Sequence, residues 1–337
     1  MNLCDFINTT RPELEDKLKE LVLNSLTKDL PELNDMLCHH FGWEKGVISP
    51  GIQGKRMRPM LVFLCTETAG GCWRDVMLPA TAVEILHNFS LIHDDIQDNS
   101  PTRRGKPAIW AKWGVPQAIN AGDFLFALAN KVIIDTNHKT SSQIALKNAQ
   151  LLNETCLSLT RGQYLDISFE TSNQISIESY FEMIKGKTAA LIACCAELGA
   201  IAAGTLIDQQ KLFHRFGNSL GLAFQVWDDW LGIWGNYEHT GKSVESDLVA
   251  GKKVLPVIYA LEKKGDFARR WSKGPISHGE VPEIAEMLVK EGAQKYTEKR
   301  ALNLLDEALL ILDQLVVNQD AGRVLKELAR SFVNREN

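Results

Sequence analysis

Two pairs of adjacent aspartates, Asp94-Asp95 and Asp228-Asp229, constrain this chain more than any other feature, because each pair lies in an apolar, helix-like segment. Neighbouring carboxylates repel each other, and burial among apolar groups disfavours their charged form. Divalent cations such as Mg²⁺ offset both effects, and Mg²⁺ usually shares phosphate oxygens with one or two carboxylates. The two pairs therefore predict helices that line a site for a metal-bound diphosphate.

Hydrophobic residues recur at helical spacing along most of the 337 residues, and no stretch shows the alternation that is typical of strands. The clearest helical segments are 13–26, 84–98, 158–169, 218–234 and 298–316. No low-complexity linker or short repeat divides the chain. We therefore expect an all-α fold, a single large helical bundle in which residues 1–337 form one domain. Residues 1–12 and 334–337 are expected to fray.

Composition narrows the class of protein. The net charge of −5 gives no general basic surface for nucleic acid. Seven cysteines without metal-type spacing predict reduced, buried thiols in a cytoplasmic protein. The N-terminus has neither the basic start nor the apolar core of a secretory signal. Residues 189–207 form the longest apolar stretch, but Glu197 interrupts it, so we expect a buried helix rather than a membrane span.

The first acidic cluster has a spacing that suits metal binding. Asp94 and Asp98 are four residues apart, so on a helix they share one face. Asp228 can supply a carboxylate from a second helix, although position 232, four residues later, is glycine. A helix cap or a solvated acidic patch would explain one pair. It does not explain two pairs in apolar segments, each followed by basic residues.

Basic residues complete the electrostatic pattern. The segment 54–59, GKRMRP, places three cations before an apolar helix, whose N-terminus already favours anions. Arg103 and Arg104 follow the first acidic cluster, and arginine forks bind phosphate in a bidentate manner. Solvated surface charge is the alternative for any one of these residues. Their position beside the carboxylates favours phosphate binding.

Taken together, these segments resemble the trans-type (all-E) isoprenyl diphosphate synthases, or polyprenyl synthetases, from Gly54 to about Pro256. The motifs that carry the resemblance are GKRMRP, EILHNFSLIHDDIQD, RRGKP, GQYLDISFE, KGKT, FQVWDD and TGKSVESDLVAGKKVLPV. The resemblance implies a helical bundle around a deep central cavity, commonly a homodimer. It also implies a prenyltransferase that ionises an allylic diphosphate, joins the allylic cation to isopentenyl diphosphate and then loses a proton.

The resemblance also implies a role for each matching position. Three Mg²⁺ ions would be bound by the two aspartate motifs, Asp94, Asp95, Asp98, Asp228 and Asp229, the last of these through outer contacts. The allylic diphosphate would contact Arg103, Lys187, Lys242 and Lys252. Isopentenyl diphosphate would contact Lys55, Arg58, His87 and Arg104. The reacting allyl group would lie near Thr188 and Gln225.

Product length is expected to depend on the residues before the first motif. Phe89 lies five residues before Asp94, about 7.5 Å along a helix axis, and Ser90 follows it. An aromatic residue at this place, followed by an uninterrupted DDIQD, resembles short-chain enzymes. We expect a C20 geranylgeranyl product, with C15 farnesyl as the close rival.

Three other functions stay open at this stage. A class I terpene cyclase shares the bundle, but it has no use for the residues expected to bind isopentenyl diphosphate. An inactive regulatory subunit would be expected to lose metal-binding aspartates, and here all five are present. Head-to-head condensation also uses two aspartate motifs, but it requires binding of a reductant that no motif here indicates.

Overall fold

The computed structural model describes residues 1–27, 29–43, 54–135, 141–172, 174–235 and 246–333. Almost all regular structure in these residues is helical, which confirms the all-α prediction. The α-helices, in chain order, are α1 (Leu3–Asn24), α2 (Pro31–Phe41), α3 (Met57–Thr68), α4 (Met77–Gln97), α5 (Ile109–Trp113), α6 (Val115–Ile134), α7 (Ser142–Thr171), α8 (Ile177–Ile184), α9 (Ala190–Ala202), α10 (Ile207–Trp234), α11 (Ser246–Val249), α12 (Leu255–Lys263), α13 (Asp266–Trp271), α14 (Val281–Lys290), α15 (Ala293–Asp313) and α16 (Gln319–Ser331). A turn of π-helix, Lys185–Ala189, joins α8 to α9.

The chain divides into two compact units. Unit 1 comprises Met1–Glu154, Cys195–Gln210 and Val316–Leu325. Unit 2 comprises Thr155–Cys194, Lys211–Leu315 and Lys326–Asn337. That residues 1–337 form one domain stays a prediction.

Helix α1 is longer than its sequence pattern indicates. It begins at Leu3 rather than at residue 13, because the side chain of Asn2 accepts the Asp5 N–H at 2.9 Å and caps the helix. The expectation that residues 1–12 fray is therefore wrong for the helical part of that segment, and residues 334–337 lie outside the described residues. Leu14, Leu18 and Val22 are fully buried at four-residue spacing, so α1 contributes one apolar stripe to the core of unit 1.

A short β-hairpin follows α4 and was not predicted. Its strands are β1 (Thr102–Arg103) and β2 (Lys106–Pro107), with Arg103 opposite Lys106. The two turn residues, Arg104 and Gly105, both have positive φ, 52° and 75°, as a two-residue type I′ turn requires. Strands of two residues are too short to show alternation, which is why the sequence pattern missed them.

Unit 2 has a hydrophobic core that includes the end of α10. Ile233, Leu248, Val257, Phe267 and Leu288 lie in this core and are almost completely buried. The buried side chain of Leu248 anchors the short helix α11, and Val257 anchors α12. These two helices therefore have fixed positions relative to the end of α10 within this unit.

The predicted helix over 189–207 is present as α9, which ends at Ala202. Its side chains from Leu191 to Ala196 are buried. Among the described residues, no helix combines the length and hydropathy needed to cross a bilayer. None of the seven cysteines forms a disulfide. Cys4 and Cys72 are exposed, so the prediction of buried thiols is wrong for those two, and Cys38 is only half-buried.

Candidate active site

The first aspartate motif lies at the C-terminal end of α4. The helix closes with Asn99 in the left-handed region, φ 49°, and the N–H of Ser100 bonds back to the carbonyl of Asp95 at 2.9 Å. Asp94 and Asp98 are both half-buried and lie one turn apart, as predicted. Carboxylates at the negative end of a helix dipole are unfavourable without cations. The position of the motif therefore favours a cation at this helix end.

Asp95 has a different environment from its two neighbours. Its side chain is 2% exposed, and Oδ1 accepts hydrogen bonds from Nε (2.9 Å) and Nη2 of Arg103. Burial raises the pKa of Asp95, while Arg103 opposes that rise. Asp95 thus fastens the hairpin to α4, and Arg103, predicted to bind diphosphate, already contacts the first motif.

Three of the residues predicted to bind isopentenyl diphosphate lie together in unit 1. Arg58 donates from Nη1 to Nε2 of His87 at 3.0 Å. Burial and the Arg58 charge lower the pKa of His87 well below its usual value, so the ring is neutral and only its Nδ1–H can donate to a ligand. Burial and nearby Arg56 lower the pKa of Arg104 to about 10. These cations repel each other, and an anion bound among them would relieve that repulsion.

Gly54 brings the GKRMRP segment against the hairpin. A Cβ atom at this position would lie 2.8 Å from Nη2 of Arg104, and the residue has φ 73°. The positive φ favours glycine, and the missing side chain lets the Arg104 guanidinium lie directly against the backbone. Lys55, the next residue, is exposed. The four residues predicted to bind isopentenyl diphosphate therefore belong to one region of unit 1.

A basic pocket lies beside this region. It is lined by His39, His40, Arg103, Arg104 and Lys106, with Pro107, Ala108 and Ile109. Burial and then Arg104 lower the pKa of His40 to about 3, so this side chain is neutral at physiological pH. Sequence reasoning missed both histidines because they lie at the end of α2, far along the chain from the hairpin.

Asp229, in the second motif, is held by a buried network within unit 2. Its Oδ2 accepts the hydroxyl of Tyr180 at 2.6 Å and the Leu255 N–H at 3.0 Å, and Oδ1 accepts the Gln225 amide at 2.9 Å. Thr188 donates to Oε1 of Gln225 at 2.7 Å. Burial raises the pKa of Asp229 to about 7, although these donors oppose the rise.

This network separates the two aspartates of the second motif. Asp229 caps the N-terminus of α12 and orients Gln225 and Thr188, whereas Asp228 is half-buried. Tyr180 was missed by sequence reasoning. Its position could have indicated a role in the site, because Tyr180 lies seven residues, or two helical turns, before Lys187 of the KGKT segment.

Lys187 is presented by the π-helical turn and forms an ion pair with Asp166 of α7. The turn approaches α7 so closely that a Cβ atom on Gly162 would lie 2.0 Å from the Lys187 backbone nitrogen. π-Helical turns often occur at functional sites. Here the turn and the glycine together set the position of the lysine.

Replacing Gly162 with alanine should therefore damage both stability and substrate binding. The added methyl group meets backbone, which cannot move as a flexible side chain would, and such overpacking costs about 1–3 kcal/mol. We expect a lower urea midpoint and a higher KM for the allylic diphosphate. The control is Gly279→Ala, where nothing lies within 4 Å of the new methyl group. Equal behaviour of the two variants would contradict this packing argument.

The structure distinguishes the two lysines at 252 and 253. Lys253 donates to the carbonyls of Phe169 (2.6 Å) and Glu170 (2.9 Å) near the end of α7, a capping role. Lys252, the predicted diphosphate ligand, is half-buried, and its backbone N–H donates to the backbone carbonyl of Asp247 at 2.9 Å. Lys242 lies outside the described residues.

Phe89, the predicted floor of the product cavity, lies on α4, and its ring packs against α6. Its ring centroid is 4.8 Å from that of His93 and 5.2 Å from that of Phe126. Ser90 is buried, and its hydroxyl donates to the His87 carbonyl at 2.9 Å. Phe126 was not predicted, because nothing in the local sequence indicates that α6 packs here.

The comparisons with known proteins decide the family. The family model for polyprenyl synthetases matches residues 47–288. The chain belongs to the polyprenyl synthetase family. It is a prenyl diphosphate synthase of the short-chain trans type, and therefore a transferase of prenyl groups.

Three relatives illustrate the similarity. The chain is 34% identical over 316 residues to a (2E,6E)-farnesyl diphosphate synthase of Mycobacterium tuberculosis, with 91% of this chain and 87% of the relative covered. The structure of a geranylgeranyl pyrophosphate synthetase from Pyrococcus horikoshii matches with a TM-score of 0.88 and 32% identity, covering 99% and 98% of the two chains. A polyprenyl synthase from Caulobacter crescentus, described as complexed with calcium and isoprenyl diphosphate, matches with a TM-score of 0.85 and 28% identity over 100% and 98%.

The residues of this synthase fit a hard divalent cation of the kind its family implies. Among the described residues no group of three or more histidine, cysteine, aspartate or glutamate side chains is close enough to form a complete protein cage for a metal. Mg²⁺ does not need one, because it uses one or two carboxylates together with substrate phosphates and water. Asp94 and Asp98, one turn apart at a helix end, provide such a pair.

Proposed function

We propose that this synthase condenses isopentenyl diphosphate with an allylic diphosphate, giving C20 geranylgeranyl diphosphate as its main product and C15 farnesyl diphosphate next. One observation carries the proposal. Two consecutive hairpin residues have different surroundings: Arg103 bonds Asp95 of the first aspartate motif, whereas Arg104 lies near the cations Arg56 and Arg58. A condensing enzyme needs sites for two diphosphates, and a cyclase needs one.

In unit 1, isopentenyl diphosphate would bind to Lys55, Arg58, His87 and Arg104. The arginine forks and the His87 Nδ1–H would donate to its phosphate oxygens. Asp94 and Asp98 would bind Mg²⁺, with Arg103 placed between Asp95 and the allylic diphosphate. The mutual repulsion of the arginines supports an anionic ligand at this place.

In unit 2, Asp228 would bind a further Mg²⁺. The allylic diphosphate would contact Lys187, Lys242 and Lys252. Thr188 and Gln225 would orient the reacting allyl group. The hydrogen bonds from Thr188 to Gln225 and from Gln225 to Asp229 support this role, because they fix both side chains before substrate binds.

The chemistry follows from these assignments. When bound, Mg²⁺ neutralises charge on the diphosphate, and three ions are proposed. The lysines and arginines stabilise the negative charge that develops as the allylic C–O bond breaks. The double bond of isopentenyl diphosphate then attacks the allylic cation, and a proton from the new cation passes to the departing diphosphate. Apolar surroundings exclude water that would quench either cation.

Phe89→Ala should lengthen the product by at least one C5 unit. The ring lies against His93 and Phe126, so its removal opens space beside α4. Mass spectrometry of the prenyl diphosphates measures the change. Phe181→Ala, which removes a ring in unit 2, serves as the control and should keep the wild-type product. An unchanged product from Phe89→Ala would show that the floor lies elsewhere.

Incubation with geranyl diphosphate, with and without isopentenyl diphosphate, tests the proposed reaction. We expect a longer prenyl diphosphate that forms only when both substrates are present. A hydrocarbon from geranyl diphosphate alone would identify a cyclase. No product under either condition would support an inactive subunit.

We also propose that the synthase is a homodimer, as the family resemblance implies. Size-exclusion chromatography with light scattering should give twice the mass of the 37.6 kDa chain. A mass equal to that of one chain would refute this part of the proposal.

A further inference from the structure

Position 232 is where the second aspartate motif of this synthase is incomplete. It lies four residues after Asp228, one turn further along the same face of α10. A carboxylate at this position would extend the motif in the way that Asp98 extends the first one. Glycine stands there instead, so α10 itself provides no such group.

The space beside Gly232 is filled by another carboxylate. A Cβ atom at position 232 would lie 2.3 Å from Oδ2 and 3.3 Å from Cγ of Asp247. Real Cβ atoms do not approach oxygen that closely, so the carboxylate of Asp247 occupies the place of a side chain at 232. Gly232 does not have a positive φ angle, so backbone conformation does not explain the glycine; a larger residue at this position would have to push the Asp247 carboxylate aside.

Helix α11 holds this carboxylate in place. Leu248, the next residue, is fully buried in the core of unit 2. The carbonyl of Asp247 accepts the Lys252 N–H at 2.9 Å, and the carbonyl of Leu248 accepts the Gly251 N–H at 3.2 Å. The backbone from the Asp247 carbonyl through Leu248 is thus fixed by packing and hydrogen bonds.

We propose that Asp247 supplies the carboxylate that α10 lacks at position 232 and completes the second aspartate motif toward the Mg²⁺ of Asp228. This inference rests on the proposed function. The proposed role of Asp247 also explains the glycine at position 232, because a side chain there would displace the Asp247 carboxylate. Two carboxylates with diphosphate oxygens and water form a donor set that suits Mg²⁺.

The competing explanation is purely structural, because Asp247 also lies in the first turn of α11, where an acidic residue stabilises a helix. The two explanations differ in what a substitution changes. A structural role predicts a loss of thermal stability with metal affinity unchanged in the folded protein. A metal role predicts a loss of affinity at nearly constant Tm.

Binding of Mn²⁺ in the presence of inorganic pyrophosphate distinguishes them, and it requires no turnover. Free Mn²⁺ is measured by electron paramagnetic resonance for the wild type, Asp247→Asn and the control Asp306→Asn, whose side chain is exposed on α15. We expect Asp247→Asn to weaken Mn²⁺ binding by about 10- to 100-fold. Asp306→Asn should bind as the wild type does, and both variants should keep the wild-type Tm.

A second experiment moves the carboxylate from position 247 to position 232. Asp247→Ala removes the group and vacates the space beside position 232, and adding Gly232→Asp returns a carboxylate from α10. The double variant should recover most of the Mn²⁺ affinity that Asp247→Ala loses. Recovery cannot be explained by a structural role of α11, because the double variant has no side-chain carboxylate on that helix at 247.

The outcomes separate this inference from the proposed function. Wild-type Mn²⁺ affinity in Asp247→Asn would overturn the inference alone, as would a lowered Tm without any rescue by Gly232→Asp. A wild-type protein that binds no Mn²⁺ with pyrophosphate would overturn the proposed function itself. A wild-type protein that condenses its substrates while Asp247→Asn binds Mn²⁺ weakly would support both.

Discussion

Asp94→Asn should lower kcat/KM for the allylic diphosphate by about 10²–10³-fold, the usual effect of removing one charge-stabilising group from an active site. The carboxylate lies at the negative end of α4, one turn from Asp98, where a bound cation offsets both charges. An amide of the same shape cannot do so. Raising the Mg²⁺ concentration should restore part of the activity, because the variant loses metal affinity rather than its fold.

Asp16→Asn is the control for this experiment, since Asp16 is an exposed acid on α1 in the same unit. Its kinetics should match those of the wild type. Thermal unfolding of both variants separates loss of function from loss of fold. If Asp94→Asn kept more than about a tenth of the wild-type kcat/KM, Asp94 could not have the proposed role.

Arg56→Ala should cause the largest loss of stability, about 3–5 kcal/mol, because it leaves buried carboxylates without their partner. The Arg56 side chain is fully buried and donates to Glu15 of α1 and Glu84 of α4, each at 2.7 Å. It therefore fastens α1 to the helix that carries the first aspartate motif. Urea unfolding monitored by circular dichroism measures the free energy of unfolding.

Arg74→Ala is the matched control. Arg74 also pairs with an acid of α1, Glu13 at 2.7 Å, but both side chains are largely exposed. Exposed ion pairs add little, so its urea midpoint should stay close to that of the wild type. In Arg56→Ala, an added Glu84→Gln should recover part of the loss by removing the unpaired charge. Equal midpoints for Arg56→Ala and Arg74→Ala would contradict the account of the buried network.

The local part of the site could be predicted from sequence. Asp94 and Asp98 share a face because helical spacing requires it, and DDIQD lies in a long apolar pattern that forms α4. The FQVWDD segment is likewise helical, as part of α10. These predictions needed only contacts within one helix.

Long-range packing accounts for what the sequence could not provide. GKRMRP contains three similar cations, yet Arg56 is buried between Glu15 and Glu84, whereas Arg58 faces His87. Those partners lie on other helices, and no local pattern identifies them. Asp229 likewise matches a metal-binding motif, but its oxygens accept bonds from distant Tyr180 and Leu255.

The most direct test of the central claim is product analysis by mass spectrometry with C5, C10 and C15 allylic diphosphates, each supplied with isopentenyl diphosphate and Mg²⁺. We expect all three starters to converge on a C20 prenyl diphosphate and none to react without isopentenyl diphosphate. Products formed from an allylic substrate alone, or no condensation with any of the three starters, would contradict it.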